Sequence, residues 1–247
     1  MKKIAFVVLF IAAAILVIFL VSARKPISID LNGKRIVLMC DNRGESEYAP
    51  VMKFNGIIYH QNDRSPIDNL RKGKGIGEIQ YRIADDGCLN YVMQDGDATL
   101  LKTGTELFEV QGYASSARLL ADNQLYQASE NPEAHTINDL LDISGKITAV
   151  RFISGNDGVT ILKGFTPEAS EVFAEEFPKL AYIPFDTLYK ETKGWVGGKY
   201  WMQIELSDGS TIGISYNEKF AAFHPAGYAT PELALLVEDQ RKRIYVK

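Results

Sequence analysis

The stretch YWMQIELSDGSTIGISY, residues 200–216, decides how the second half of the chain folds. Its first seven residues alternate, with one set facing one way (Tyr200, Met202, Ile204 and Leu206) and the other set facing the opposite way (Trp201 and Gln203). A strand has a side-chain period of two, so this alternation places one set in a core and leaves the other outside. Ser207-Asp208-Gly209-Ser210 supplies a turn. The stretch therefore predicts an antiparallel hairpin with one buried face.

Two identical helix-start signals lie on either side of this hairpin. Thr166-Pro167-Glu168 and Thr230-Pro231-Glu232 each place a capping Thr before a Pro at the first helical position and an acid in the first turn. Apolar residues at helical spacing follow both signals. We interpret the repeat as a capping device and not as evidence of duplication. Residues 137–247 are therefore predicted to form an α+β domain, an antiparallel sheet with one or two helices.

Residues 26–130 are almost wholly β in pattern. Asn32-Gly33 and Asn55-Gly56 are strong hairpin turns between apolar runs, and Asp122-Asn123 separates another pair of strands. The glycine-rich segment 73–77 lacks the spacing of a nucleotide motif and opens onto a strand, so it is interpreted as a flexible turn. The region is predicted to be a small β barrel or sandwich, and the polar segment 129–136 marks the boundary with the α+β domain.

The N-terminal segment, residues 1–25, predicts the topology. Lys2 and Lys3 precede an uncharged run over residues 4–21, IAFVVLFIAAAILVIFLV. At the helical rise of ~1.5 Å per residue this run reaches about 27 Å, close to the hydrocarbon thickness of a bilayer. The positive-inside rule keeps the two lysines cytoplasmic. The segment is interpreted as a retained transmembrane helix with the body outside; the alternative is a signal peptide cleaved near Ala23, which would give a secreted protein.

Charge and cysteine usage agree with export. The chain has a formal net charge of −4, and Lys2 and Lys3 precede the apolar run, so the body that follows Ala23 is more acidic still. An acidic body argues against a nucleic-acid partner. Cys40 and Cys88 could form a disulfide outside the cell, or remain two buried thiols. Neither has a second ligand at metal spacing, so no metal site is predicted.

No spacing of polar residues predicts catalysis. His60, His135 and His224 form no zincin pattern, and Ser115 and Ser215 lack a nucleophile-elbow context. A triad could still assemble through space. The acidic turns are too short for a calcium loop and fit hairpin chemistry better. We therefore predict no catalytic residues and no cofactor.

Aromatic residues are dense in the last third of the chain and supply the predicted binding residues. Most of them are expected in the core, but alternation places Trp201 on the opposite face from its apolar neighbours. An exposed aromatic cluster could bind a glycan or peptide, because flat rings offer apolar area. The predicted ligand-binding residues are Trp195, Trp201 and His224.

Four motifs lie within about residues 50–128: Asn55-Gly56, Ile76-Gly77-Glu78-Ile79, Asp95-Gly96-Asp97 and the segment LKTGTELFEVQGY, residues 101–113. Through these motifs the region resembles an uncharacterised group of exported or membrane-anchored proteins of Bacillus and Paenibacillus type. The resemblance implies an extracytoplasmic compartment and a Gram-positive host, and it implies no catalytic residues. The chain lacks the lipobox of the lipid-anchored members, which favours the helical anchor.

The sequence thus predicts a membrane-anchored extracytoplasmic protein. A non-catalytic binding, sensing or accessory module at the cell envelope is the first hypothesis, with an envelope protein or glycan as its partner. The alternative is an envelope hydrolase whose site assembles through space.

Overall fold

A computed structural model of the protein describes residues 27–31, 34–38, 47–86, 91–225 and 227–245. The predicted transmembrane helix over residues 4–21, the cleavage near Ala23 and the disulfide between Cys40 and Cys88 lie outside the described residues and stay predictions. Within the described ranges, none of the helices combines the length and the apolar character that crossing a bilayer requires.

The first described element is an antiparallel hairpin. Strand β1 (Ile27–Leu31) pairs with β2 (Lys34–Leu38), with Asp30 opposite Arg35. The buried Arg35 donates from Nε to Asp30 Oδ1 at 2.9 Å, forms an ion pair with Asp97 and donates from Nη1 to the Asp95 carbonyl at 3.1 Å. One arginine therefore fastens this hairpin to the residues that surround Asp97.

An eight-stranded, curled sheet, sheet I, contains most of the predicted β-rich region. Its strands are β3 (Val51–Phe54), β4 (Ile57–Gln61), β5 (Lys72–Glu78), β6 (Tyr81–Arg82), β7 (Asp97–Ala98), β8 (Glu106–Val110), β9 (Arg118–Ala121) and β10 (Gln124–Glu130). They lie in the order β5-β8-β9-β10-β4-β3-β7-β6, and a one-turn helix, α1 (Ile83–Asp86), follows β6. Asn55 and Gly56 both have positive φ, at 51° and 79°, which confirms the predicted two-residue turn between β3 and β4.

The prediction of a flexible turn over residues 73–77 is wrong, because this segment belongs to β5. β5 pairs with β8 through two register shifts. At Gly77 a Cβ atom would lie 2.7 Å from Cε2 of Phe54, and at Gly73 it would lie 3.0 Å from Cβ of Glu109. The glycines therefore serve close packing inside a strand and do not form a turn.

The described residues of the second half form a five-stranded antiparallel sheet, sheet II, and four α-helices. Its strands are β11 (Ile147–Ile153), β12 (Ile161–Gly164), β13 (Lys199–Leu206), β14 (Thr211–Asn217) and β15 (Ala222–His224), in the order β12-β11-β13-β14-β15. The helices are α2 (Ile137–Leu141), α3 (Pro167–Glu176), which continues into a 3-10 turn (Phe177–Lys179), α4 (Phe185–Glu191) and α5 (Pro231–Lys242). The prediction of a mainly β chain with helices towards its C-terminus is confirmed.

Both predicted helix starts are confirmed by their caps. Thr166 Oγ1 accepts from the Ala169 N–H, and Thr230 Oγ1 accepts from the Leu233 N–H, each at 3.2 Å. Leu233 and Val237 of α5 are buried, as the amphipathic pattern requires. Helices α3 and α5 thus pack on the face of sheet II that contains Met202 and Ile204.

A continuous cluster of buried side chains includes residues of both sheets. Leu119 of sheet I and Met202 of sheet II belong to it, and Phe173 of α3 stacks on Phe177 at a centroid distance of 4.8 Å. The predicted division into domains 26–130 and 137–247 stays a prediction. What matters for the site is that the two sheets pack against one another around shared side chains.

Candidate functional site

One cross-strand row on sheet II contains two of the predicted binding residues. Trp201 of β13 lies opposite Ser215 of β14, and Ser215 lies opposite His224 of β15. Residues directly opposite one another project from the same face of a sheet. Met202, Ile204 and Leu206 are buried on the other face, as the alternation predicted. Trp201 and His224 therefore share the outer face, about 10 Å apart across two strand spacings.

A cleft of about 440 Å³ opens between this outer face and the central strands β4 and β10 of sheet I, and we call it the histidine cleft. Its volume lies within the range of small-molecule sites, roughly 300–1,000 Å³. The residues that define it come from β4, β10, α4, β14 and β15: His60, Asn62, Gln127, Glu130, Phe185, Gly213 and His224. It is built by long-range packing, because these residues come from five separate parts of the chain.

The two imidazoles of the cleft are free of acidic partners. Among the described residues, neither His60 nor His224 forms a side-chain hydrogen bond or an ion pair. The His224 ring packs edge-on against Phe185 at a centroid distance of 4.4 Å. Their ring nitrogens are therefore available to a ligand.

Burial keeps both imidazoles neutral at neutral pH. Desolvation, with a smaller contribution from His60, lowers the pKa of His224 to about 4. Desolvation by the cleft walls also lowers the pKa of His60, which lies at the exposed rim. A neutral imidazole offers one donor and one acceptor. The two imidazoles of the cleft thus offer a ligand two hydrogen-bond donors and two acceptors.

Trp195 lies behind His224 and supports it. The indole is 6% exposed and its ring centroid is 6.2 Å from that of His224. Trp195 has φ of 57°, a left-handed conformation that is costly for a bulky residue. Buried Thr192 holds this turn, accepting from the Trp195 N–H at 3.3 Å while donating to the Leu188 carbonyl at 2.7 Å. The structure thus brings Trp195 and His224 together, with Trp195 in a supporting position.

Gly213 lies at the floor of the cleft. A Cβ atom added there would meet no atom within 4 Å, so the space above this glycine is open. Strand β14 is held at its first residue by segment 62–65. Asn62 Nδ2 donates to the Thr211 carbonyl at 2.7 Å, and the Thr211 N–H donates to Ser65 Oγ at 2.9 Å. The floor of the cleft is therefore open, and hydrogen bonds to Thr211 from the segment after β4 fix its position.

A buried arginine joins the sheets beneath the cleft. Arg118 is fully buried and donates from Nε to Gln127 Oε1 and from Nη1 to Ser210 Oγ, both at 2.7 Å. Its guanidinium lies 4.5 Å from the Tyr113 ring, and Tyr113 donates to Asp208 Oδ2 at 2.7 Å. Gln127 lines the cleft, so this network fixes one of its walls. Sequence reasoning missed Arg118, because its partners lie far away along the chain.

Trp201 does not line the histidine cleft. Its side chain is 45% exposed and lines a separate groove beside Arg241 and Gly155. Of the three predicted binding residues, His224 therefore lines the histidine cleft, Trp201 lines the separate groove, and the buried Trp195 packs beside His224.

The geometry of the described residues supports neither a serine nucleophile nor a metal site. Ser215 is 6% exposed and, although it lies opposite His224, no hydrogen bond joins the two side chains. Over the described ranges, no group of three or more His, Cys, Asp or Glu side chains could hold a metal ion. A larger cavity of about 630 Å³ beside β8 and β9 contains neither histidine nor tryptophan. The histidine cleft remains the strongest site.

Phe185, Glu130 and Gly213 were also missed from the sequence. Phe185 and Glu130 had no local signal, because only the packing of α4 and β10 brings them to the cleft. Gly213 had a weak local signal in the sequence, since it interrupts the apolar pattern of β14 at an outward position. No protein-family model matches the chain, and no curated protein or solved structure matches it.

Proposed function

We propose that the chain is an extracytoplasmic binding module of the cell envelope that takes a small ligand in the histidine cleft. The N-terminal segment would hold it at the membrane as a single-pass anchor, or release it after cleavage near Ala23. In this proposal the β-rich region is a small barrel or sandwich that, together with sheet II, forms the walls of the site.

One observation carries the proposal: two desolvated imidazoles line a cleft of ligand size, and neither is bonded to an acid or serine. A catalytic histidine normally has an orienting partner that fixes its tautomer. Without such a partner, His60 and His224 are better suited to bonding a ligand than to moving its protons.

The charge of the lining indicates the ligand class. Among the described residues that line the cleft, Glu130 has the one formal charge at neutral pH. An anionic ligand would meet this carboxylate with no cation to balance it, and desolvating an unpaired charge is costly. The cleft therefore fits an uncharged or cationic molecule with hydrogen-bonding groups and one apolar face for Phe185.

The test uses the full chain in detergent, incubated with small molecules extracted from cell envelopes and analysed by native mass spectrometry. We expect a retained molecule that leaves unchanged in mass. Its retention should fall in His60→Ala and in His224→Ala but not in His135→Ala, which removes the one histidine outside the cleft. Equal retention by all three variants, or none by the wild type, would refute the proposal.

A hydrolase with a site assembled through space is the second candidate. The observation in its favour is the position of Ser215, directly opposite His224 on the same sheet face. The same mass measurement separates the two functions. A hydrolysed product that disappears in Ser215→Ala would establish hydrolysis in place of binding.

A further inference from the structure

The second cavity on this side of the molecule is a groove of about 270 Å³, the Trp201 groove. It lies where β11 ends and β13 begins, between the turn that follows β11 and the C-terminal end of α5. The side chains that matter in it are Asn156, Lys199, Trp201 and Arg241. Its volume equals about nine water molecules at ~30 Å³ each, which is enough for one sugar ring.

Arg241 is held in place by aromatic rings and not by an acid. Its guanidinium carbon lies 4.9 Å from the Tyr200 ring centroid, 5.1 Å from that of Tyr245 and 5.6 Å from that of Phe152. Within the described part of the chain, the Arg241 guanidinium has no hydrogen bond and no carboxylate at ion-pair distance, and its buried Nη1 has no partner. A guanidinium fixed by stacking is preorganised to bind an anion through paired N–H groups.

The neighbouring acids are already engaged elsewhere. Tyr200 donates its hydroxyl to Glu218 and also to Glu238 Oε2, the latter at 3.1 Å. Burial, together with both carboxylates, raises the pKa of Tyr200. Lys199 adds a second cation at the rim and has no acidic partner among the described residues. The groove thus contains two cations that no carboxylate neutralises directly.

Trp201 offers an aromatic platform in the same groove. Trp201 is 45% exposed, and Gly155 covers one edge of its indole, since a Cβ at Gly155 would lie 2.8 Å from Cδ1. Arg241 stacks on Tyr200, which projects from the other face of the strand, so the groove at the strand ends is lined from both faces of sheet II. An exposed aromatic face in a groove that also contains two cations matches a ring that has an apolar face and an anionic substituent.

We propose that the Trp201 groove binds an anionic sugar ring, which stacks on Trp201, places its carboxylate or phosphate against Arg241 and Lys199, and bonds a hydroxyl to the Asn156 amide. This site is separate from the histidine cleft, which excludes anions, and it does not depend on the ligand proposed there.

The test titrates the full chain in detergent with glucuronate, glucose 6-phosphate and glucose and follows tryptophan fluorescence. We expect one or both anions to bind about tenfold tighter than glucose or better, because a charge-assisted bond is lost with the neutral sugar. Binding of glucuronate alone identifies a carboxylate as the anion, and binding of glucose 6-phosphate alone identifies a phosphate. The chain has two tryptophans, so Trp201→Phe should abolish the emission change.

Arg241→Gln and Lys242→Gln form a matched pair. They are adjacent on α5 and remove the same charge, but Lys242 is bonded to Asp239 and has a side chain that is 73% exposed outside the groove. Arg241→Gln should weaken binding of the anion about tenfold or more, while Lys242→Gln should leave it within about twofold. Equal affinity for all three sugars, no binding of any of them, or equal losses in the two variants would overturn the proposal.

Discussion

Replacing His224 by Gln should reduce the stability that the folded protein loses between pH 7 and pH 4.5. The ordinary pKa of histidine is about 6.5, and burial lowers that of His224 to about 4. Below pH 6.5 the unfolded chain takes up a proton that the folded chain resists, so stability falls as the pH falls from 6.5 through 4. Each pKa unit corresponds to ~1.36 kcal/mol, which gives a limit of about 3.4 kcal/mol and about 2.5 kcal/mol at pH 4.5.

The assay is urea unfolding of the full chain in non-ionic detergent at pH 7 and pH 4.5, monitored by tryptophan fluorescence. The free energy of unfolding of the wild type should fall by about 2.5 kcal/mol more than that of His224→Gln between the two pH values. His60→Gln should reduce the loss, because His60 contributes to the lowered pKa of His224. His135→Gln, outside the cleft, controls for the loss of an imidazole. Parallel losses in the wild type and in His224→Gln would refute the reasoning.

Two further predictions concern the frame of the cleft. Arg118→Ala should lower the free energy of unfolding by about 3 kcal/mol, whereas Arg118→Met should lower it by less than about 1 kcal/mol. The reason is that methionine fills the space and removes a desolvated charge that has no direct carboxylate partner. Urea unfolding measures both variants, and equal losses would contradict this account. Gly213→Ala should leave stability unchanged within about 0.5 kcal/mol but reduce ligand retention, since its Cβ enters open space. Gly227→Ala, whose Cβ would lie 2.3 Å from a backbone oxygen, should cost more than about 2 kcal/mol, so a similar stability for the two glycine variants would argue against this geometry.

Local patterns predicted the local elements of this chain. Thr166 and Thr230 cap helices because their hydroxyls satisfy an N–H that the first turn leaves free, and this requires only neighbouring residues. The turn at Asn55-Gly56 and the hairpin of β13 and β14 are equally local. The error over residues 73–77 arose because Gly77 is required by Phe54, a residue on another strand.

The site could be predicted only in part, for the same reason. Outward alternation predicted the position of Trp201, and its exposure follows from that alternation. The presence of His60 and His224 in one cleft depends on how β4 of sheet I lies relative to β15, and no sequence spacing encodes that arrangement. Arg118 would have been assigned to the surface from composition alone, because arginine is seldom fully buried.

The hairpin of β1 and β2 determines how a tether at the N-terminus would load the body. A pull on Ile27 reaches the rung that joins Ile27 to Leu38 first, and the antiparallel ladder opens one rung at a time towards Asp30 and Arg35. At this rung the opening of the ladder reaches Arg35, whose side chain is also bonded to the Asp95 carbonyl and to Asp97, on a different part of the chain. The outer rungs can therefore yield under tension while Arg35 passes the remaining force into sheet I, so the hairpin behaves as a short extensible link in front of a fixed anchor point.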